Sequence, residues 1–546
     1  MKTFLYPLMA LAILVASCAG GDELKRASET ITADELREYT RTLGADSFMG
    51  RQPFTPGEEI TVTWLSGELE RIGFRPAFGD SWYQEVPMVE ITTVVDGKVI
   101  ISSGKNRIEL SAPDDIAIES PSMKQVVVLD EIPIVFCGFG IVAPEQGWND
   151  YAGVDVKGKC AVVLVNDPGL YTGDTTLFKG RTMTYYGRWT YKHEEAARQG
   201  AAAIIIIHEP LGAGYDYSIP RKSSISPGLY MEQTEGDITP CPVTGWLSAE
   251  SASRILSTEG FDVEKLRDEA CQAGFKGFEL GSSLSMKLMN SQVKNSSVNV
   301  AGILPGSVHP EECVVVSAHW DHFGIGEAEN GDSIYNGAVD NGTSMAWALE
   351  IGEAFASMKK RPERSVIILF PTAEEQGLLG SSWFAANPPV EPENIIACFN
   401  NDLLLPIGKM KDIMVTGYGQ SELDDLLAEA AAAQDRYLMP DPNPETGMYF
   451  RSDHFPFALI GVPSLFARGN CDSREFGKEW AAEREREYLT KMYHKPADNY
   501  YPEMNFKGIE EDSKAIFEVA FKITTSDIRP GWKPGSEFAN IRSSKN

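Results

Sequence analysis

The chain has 546 residues, and at roughly 150 residues per domain this length indicates about two to four domains. Hydrophobic residues make up 43% of the sequence and aromatic residues 10%, so the chain can build folded cores and is too apolar for a disordered protein. The formal net charge of −29 would repel nucleic acid and anionic membrane surfaces, which argues against a phosphate-binding role.

The first eighteen residues have the pattern of an export signal. Met1-Lys2 gives a short positive start, and residues 4–15 form an apolar run of signal-peptide length. The run leads into Val15-Ala16-Ser17-Cys18, which resembles the lipobox of bacterial lipoproteins. We therefore expect a signal peptide over residues 1–18, a lipid on Cys18 and a flexible tether over residues 19–30; plain secretion is the alternative.

No later stretch approaches the ~18 consecutive apolar residues that span a bilayer. The sequence therefore predicts an exported protein that is held in the bacterial cell envelope, in the outer membrane or periplasm, by its lipid alone. The acidic residues after Cys18 are weakly indicative of surface display.

Three stretches follow that differ in their pattern of apolar residues and turn residues. Residues 31–127 open with a helix capped by Thr32 and contain a second helix at residues 61–72. Residues 128–273 combine apolar strands (134–136, 160–165 and 203–207) with glycine turns and one helix, 191–199. In residues 274–530 strand and helix patterns alternate, which predicts an α/β fold with a mostly parallel sheet and helices on both faces.

The cysteines do not form a metal-binding pattern. Apart from Cys18 there are seven, so at least one is unpaired within the chain, and no C-x-x-C spacing occurs. Cys137, Cys160, Cys313 and Cys398 lie inside apolar runs, which predicts buried, inert thiols.

Candidate metal ligands stand where three predicted strands of the last stretch end. His319, Glu375 and Asp402 each follow closely on a buried apolar run. Ligands of open α/β sheets bind beyond the carboxyl ends of the strands, so we expect these side chains to meet at one edge. Asp340, at the start of a predicted helix, and His494, in a loop near the end, are further candidates.

Two imidazoles and three carboxylates suit a pair of divalent metals that share one bridging carboxylate. Such a pair can hold and activate a water molecule for hydrolysis. Glu374 stands beside Glu375 and leaves the strand toward the other side, so it can act as the general base. Asp321, two residues after His319, is placed to accept the second N–H of that imidazole.

Six motifs succeed one another in this stretch: Ala318-His319-x-Asp321, Asp340-Asn341-Gly342-Thr343-Ser344, Glu374-Glu375-x-Gly377-x-x-Gly380-Ser381, Asn400-x-Asp402, Ser452-Asp453-His454 and Tyr493-His494-x-Pro496-x-Asp498. Their order resembles that of the dizinc aminopeptidases of metallopeptidase family 28, which are related to glutamate carboxypeptidase II and glutaminyl cyclase. The resemblance implies that Asp340 bridges two zinc ions. It also implies that His319 and Asp402 complete one metal site, and Glu375 and His494 the other.

The same resemblance assigns catalytic roles to two further residues. Glu374 would be the proton shuttle, and Tyr493 matches a tyrosine that stabilises the oxyanion in some relatives. Asp453-His454 is either part of the substrate pocket and the surroundings of the metals, or a structural turn before Pro456. His322 has no counterpart among the ligands, and we expect it in the pocket or at the surface.

The middle stretch, residues 128–273, resembles a protease-associated domain, a small β-rich module inserted into such peptidases. The resemblance is carried by residues 156–163 and 194–206, which are structural motifs without chemistry. The aromatic run from Thr184 to Tyr191 either helps to line a substrate entrance or is buried against the module's own helix. Residues 31–127 and 274–530 would then form the peptidase domain.

We therefore expect an exported metallo-aminopeptidase that hydrolyses peptides with a free amino terminus and uses two zinc ions, with manganese or cobalt as alternative metals. A carboxypeptidase or dipeptidase would need a basic pocket, for which Arg451 and Arg468 are candidates. A glutaminyl-cyclase-like enzyme would need one zinc only. A binding module on an inactive scaffold is disfavoured by the intact Glu374 and the full ligand set.

Overall fold

The computed structural model describes residues 21–234, 236 and 238–542. The chain divides into two compact units: the first contains the residues up to Val86, Ser296–Asp441 and those from Arg451 onward, and the second contains Pro87–Asn295 and Pro442–Phe450. Within the described residues, no helix combines the length and the apolar character that a membrane crossing requires. The predicted signal peptide and Cys18 lie outside the described residues.

The first unit is built on a mostly parallel sheet. Its central strands are parallel neighbours in the order Arg364–Phe370, His309–Ser317, Ile395–Asn400 and Ser464–Arg468. On one side the sheet continues antiparallel with the last residues of Phe278–Leu304 and then Arg75–Pro76. On the other side Asp412–Thr416 pairs antiparallel with Ser464–Arg468 and parallel with Tyr437–Pro440. The predicted α/β fold class is confirmed.

Both faces of this sheet are covered, as a parallel sheet requires. Val314 and Val316 point into one core cluster, and their neighbours Cys313 and Val315 point into another. The first cluster is closed by the helices Ser344–Ala356 and Lys507–Thr524, and the second by Leu379–Ala386 and His454–Leu459.

The remaining elements of the first unit surround this core. Besides the four helices above, its helical segments are residues 21–28, Ala33–Leu43, Asp46–Arg51, Pro56–Arg71, Ala338–Thr343, Pro392–Asn394, Leu423–Ala433 and Gly477–Lys491. A separate hairpin pairs Gly324–Glu329 with Asp332–Tyr335. Thr32 caps the helix Ala33–Leu43 by accepting the N–H of Glu35, as its sequence predicts.

The second unit has its own set of parallel strands and two core clusters. Four parallel strands are neighbours in the order Val126–Phe136, Cys160–Leu164, Ala203–Ile207 and Val243–Leu247. Its other strands are the later part of Tyr83–Val95, Val99–Ser103, Asn106–Leu110, Ile116–Glu119, Val142–Ala143, Trp148–Asn149, Gly228–Met231 and the first part of Phe278–Leu304. Its helical segments are Pro144–Gln146, Pro168–Thr172, Tyr185–Gly187, Trp189–Arg198, Pro210–Ala213, Ser218–Ser223, Ala249–Thr258, Val263–Ala270, Pro444–Thr446 and Met448–Phe450.

The boundaries of this unit differ from the predicted limits at residues 127 and 273. The strands Val99–Ser103 and Ile116–Glu119 pair with Phe278–Leu304 and Val243–Leu247, so residues from Pro87 onward belong to the second unit. These pairings join residues more than a hundred positions apart, and a change of local texture does not reveal them.

The predicted flexible tether over residues 19–30 is corrected in its described part. Residues 21–28 are helical, and the side chain of Ala27 is fully buried in the main core. Arg26 donates to the main-chain oxygen of Ser357 at 2.9 Å, and the N–H of Lys359 donates to Glu23. This segment is therefore an ordered part of the first unit.

Two predictions about side-chain burial can be compared with the structure. Cys137, Cys160, Cys313 and Cys398 are buried free thiols, as predicted. Within the second unit, Tyr185 and Tyr186 pack edge-on against Tyr191 of the helix Trp189–Arg198. The aromatic run therefore packs against the helix of its own unit, as one of the two readings predicted.

Candidate metal centre

The site lies where the order of the parallel strands reverses. The strand His309–Ser317 is followed in the chain by Arg364–Phe370 on one side and then by Ile395–Asn400 on the other. The crevice beyond the carboxyl ends of strands at such a reversal is the usual ligand site of open α/β sheets. His319, Glu374-Glu375 and Asp402 follow these three strands into that crevice.

The carboxylate of Asp340 lies between two imidazoles. His319 Nε2 is 3.5 Å from Asp340 Oδ1, and His494 Nε2 is 3.3 Å from Asp340 Oδ2. Each oxygen of one carboxylate therefore faces a different imidazole, as a bridging ligand requires.

Each imidazole also faces a second carboxylate. Asp402 Oδ1 lies 3.5 Å from His319 Nε2, and Glu375 Oε2 lies 3.2 Å from His494 Nε2. The structure thus brings together all five predicted ligands, and it divides them into the two sets that the sequence resemblance implies. In the first set, the ligand atoms of His319, Asp340 and Asp402 all lie within 4.8 Å of one another.

Asp321 acts differently from its prediction. His319 Nδ1 faces the main-chain oxygen of Asp321 at 3.1 Å, while the carboxylate is farther away, at 3.7 Å. The carboxylate instead accepts the main-chain N–H groups of Glu374 and Glu375, at 3.0 and 3.3 Å. Asp321 therefore fixes the turn that carries both glutamates as well as the ring of His319.

Glu374 and Tyr493 both lie at the cluster. Glu374 Oε2 is 4.0 Å from His319 Nε2, and burial, together with Asp402, raises the pKa of Glu374 well above its usual range. The ring of Tyr493 stacks on that of His494, with centroids 3.7 Å apart. Burial and then the carboxylates of Asp340 and Glu375 raise the pKa of Tyr493, so its hydroxyl keeps its proton.

His322 is not a surface residue. Its side chain is 0% exposed, and its Nδ1 lies 2.7 Å from Glu375 Oε1. It also forms a candidate ligand group with Asp340 and Glu375. The alternation of buried and exposed residues in a strand could not predict that His322 is buried. Residues 318–323 follow the end of the strand and are irregular.

In the motif Ser452-Asp453-His454, the serine contacts the candidate ligand Asp402. Ser452 Oγ donates to Asp402 Oδ2 at 3.2 Å and accepts from Asn400 Nδ2 at 2.8 Å. Asp453 is fully buried, and burial raises its pKa to about 6. His454 is also buried, at the start of the helix His454–Leu459.

Arg468, one of the two arginines considered for a carboxylate pocket, contacts the Asp402 loop. Its Nη1 donates to the main-chain oxygen of Asp402 at 2.9 Å, and its guanidinium lies over the ring of Phe466. It supports the Asp402 loop.

Two buried residues far apart in the chain hold the segment that carries Asp340. Arg51 is 0% exposed and donates to the main-chain oxygens of Gly337 at 3.0 Å and Asp340 at 3.3 Å. Asp498 accepts the N–H groups of Val339 at 3.1 Å and Asp340 at 3.0 Å. Arg51 was not among the predicted site residues, because an arginine that follows a glycine is not a metal-ligand pattern.

The charges of the cluster explain its pKa shifts. Burial opposes protonation of His319, but Glu374 and Asp402 outweigh it and raise its pKa well above its usual range. Burial likewise opposes protonation of His494, but Glu375 and Asp340 raise its pKa to about 10. Burial would raise the pKa of Glu375, but the neighbouring imidazoles, His494 foremost, hold it well below its usual range.

The donor set fits two divalent cations such as zinc. His319 Nε2, Asp402 Oδ1 and His494 Nε2 are buried and make no hydrogen bond. Polar atoms buried without a partner are costly, and metal coordination would satisfy them. His319, Asp340 and Asp402 would hold one ion, and Asp340, Glu375 and His494 the other.

Comparison with known proteins shows which proteins this chain is similar to. Residues 299–517 match the family model "Peptidase family M28", so this part of the chain is similar to the peptidase domains of that family. The matched residues include every ligand named above.

Curated relatives carry more than one activity in their names. Carboxypeptidase Q of Xenopus laevis is 26% identical over 257 residues, which are 46% of this chain and 44% of that protein. Aminopeptidase NAALADL1 of Rattus norvegicus is 26% identical over 233 residues, 35% of this chain and 30% of that protein. The chain thus spans less than half the length of these relatives.

Among solved structures, BSAP, a zinc aminopeptidase from Bacillus subtilis, is similar with a TM-score of 0.42 and 16% identity. The alignment covers 94% of this chain and 98% of that one.

Zinc binding should tighten as pH rises. In the metal-free protein His494 holds its proton up to about pH 10, above the ordinary imidazole value of 6.5, and a metal ligand must lose that proton. A competition titration against a chelating dye, corrected for the dye's own protonation, should show increasing affinity between these pH values and proton release on binding. An affinity for zinc that does not change with pH would contradict the raised pKa of His494.

Proposed function

We propose that the protein is an exported aminopeptidase that removes amino-terminal residues from peptides. The observation that carries this proposal is the Asp340 carboxylate, with one imidazole and one further carboxylate on each side. Glu374 Oε2 lies 4.0 Å from one of these imidazoles, that of His319. The match to Peptidase family M28 supports the peptidase chemistry.

The chain's own residues account for the movement of protons. When bound, the zinc ions supply Lewis-acid polarisation of the scissile carbonyl and make water a stronger acid. Glu374 takes a proton from the attacking water and returns it to the amine that leaves, so the peptide bond is hydrolysed without net change in protons on the enzyme. The Tyr493 hydroxyl donates to the developing oxyanion.

The charge of the site favours a substrate amine over a substrate carboxylate. The carboxylates of Glu375 and Asp402 lie in the crevice, and the whole chain has a net charge of −29. Arg468, the buried arginine considered for a carboxylate pocket, is bonded to the Asp402 loop. A carboxypeptidase or dipeptidase remains the second candidate, because the name of one relative, Carboxypeptidase Q, states that activity.

A substrate panel distinguishes these activities. The full chain with zinc should cleave amino-acid anilides and peptides that have a free amino terminus, and acetylation should abolish cleavage because the amine no longer reaches the carboxylates. Amidation of the carboxyl terminus should have little effect. Efficient cleavage of acetylated peptides that need a free carboxylate would establish the carboxypeptidase and overturn the proposal.

The adjacent glutamates should separate into different roles. Glu374→Gln keeps the side chain's size but removes the proton acceptor, so kcat should fall by roughly 10²–10⁴-fold while two zinc ions still bind. Glu375→Gln is the matched change one position along, and it should weaken one zinc ion. Activity and metal content measured in both variants test this division, and equal metal loss in both would refute it.

We also propose that Cys18 is lipidated and that the second unit serves as a protease-associated domain. The lipobox-like residues 15–18 support the first point, and the motifs at residues 156–163 and 194–206 the second. Cys18→Ala should abolish palmitate labelling of the protein in bacterial cells, because it removes the only thiol of the motif. Labelling that persists in this variant would exclude the lipid anchor.

A further inference from the structure

The imidazole of His322 contacts one candidate metal ligand, Glu375. Its Nδ1 lies 2.7 Å from Glu375 Oε1, and the carboxylate can only accept, so Nδ1–H is the donor. The other oxygen of the same carboxylate, Oε2, faces His494 Nε2 at 3.2 Å. The two oxygens of Glu375 therefore have different tasks.

The ring of His322 is built into the structure. Its main-chain N–H donates to the main-chain oxygen of Arg51 at 3.2 Å, and its side chain is fully enclosed. Gly337 has a φ of +55°, and a Cβ at that position would come within 2.7 Å of His322 Cδ2. The glycine thus leaves the space that the imidazole occupies.

Glu375 is consequently held at both ends. The carboxylate of Asp321 accepts its main-chain N–H at 3.3 Å, and His322 fixes its head group. A glutamate side chain loses conformational freedom when it is ordered, so a ligand that is ordered in advance binds a cation more tightly.

We propose that His322 is a positioning residue that holds Glu375 Oε1 and so presents Oε2 to the cation bound by Asp340 and His494. This inference rests on the proposed function only in requiring a metal at that site. The competing role is direct ligation, because His322, Asp340 and Glu375 also place their ligand atoms within 4.8 Å of one another. Hydrogen bonds of this kind to a metal ligand typically change metal affinity by about 10–100-fold.

A pair of variants separates the two roles. His322→Asn removes the imidazole but retains an N–H donor near the position of Nδ1, whereas His322→Leu is of similar size and has no donor. Metal-free full-length protein titrated with zinc against a chelator should show a second zinc ion bound about 10–100-fold more weakly in His322→Leu. His322→Asn should recover most of this loss, and the first zinc ion should be unaffected in both.

Cobalt provides the spectroscopic check. The visible spectrum of the cobalt-loaded protein should be the same in His322→Asn as in the unchanged protein, because the ligands of both ions are retained. Glu327→Gln, at an exposed position of the strand Gly324–Glu329 in the same unit, is the control. Circular dichroism verifies folding, and His322→Ala replaces the leucine variant if that variant does not fold.

Two results would overturn the proposal. Equal loss of the second zinc ion in both variants, with an altered cobalt spectrum in His322→Asn, would make His322 a ligand. Unchanged affinity in the variant without a donor would leave it no role in metal binding. Neither result depends on which peptides are cleaved, so failure of this inference and failure of the aminopeptidase assignment are distinguishable.

Discussion

The arrangement of the candidate metal centre depends on one buried carboxylate, that of Asp340. A charge taken out of water is costly unless it is compensated, and here both oxygens face imidazoles. The main chain on either side is held by the guanidinium of Arg51 and the carboxylate of Asp498. Residues near both ends of the chain are therefore needed to place one ligand in the middle of it.

The parallel sheet supplies the rest of the geometry. Its central strands are buried on both faces, so their carboxyl ends are rigid points from which His319, Glu375 and Asp402 project. Short loops beyond these ends are then fixed by polar contacts, such as those of Asp321 with the two glutamates. The same construction places neighbouring residues differently, with Glu375 Oε2 against His494 and Glu374 Oε2 near His319.

Several features could be predicted from the sequence because their signals are local. The buried strands are continuous apolar runs. The polar residues that directly follow these runs could therefore be predicted as candidate metal ligands at one edge of the sheet. The alternation of strands and helices predicted the α/β class, and the cap at Thr32 predicted the start of a helix. Other features have no such signal: Ala27 anchors a segment that reads as a tether, because its burial depends on a core formed by distant residues.

The sequence by itself therefore determined the fold class, the buried strands and the identity of the candidate ligands, since each depends on residues close together in the chain. Only the tertiary structure decided which oxygen faces which imidazole, that His322 lies against Glu375, and that Arg51 supports Asp340. It also decided the limits of the second unit, because Val99–Ser103 pairs with the distant strand Phe278–Leu304. These contacts join residues up to several hundred positions apart, and hydrogen-bond partners at that separation are fixed by packing rather than by local sequence.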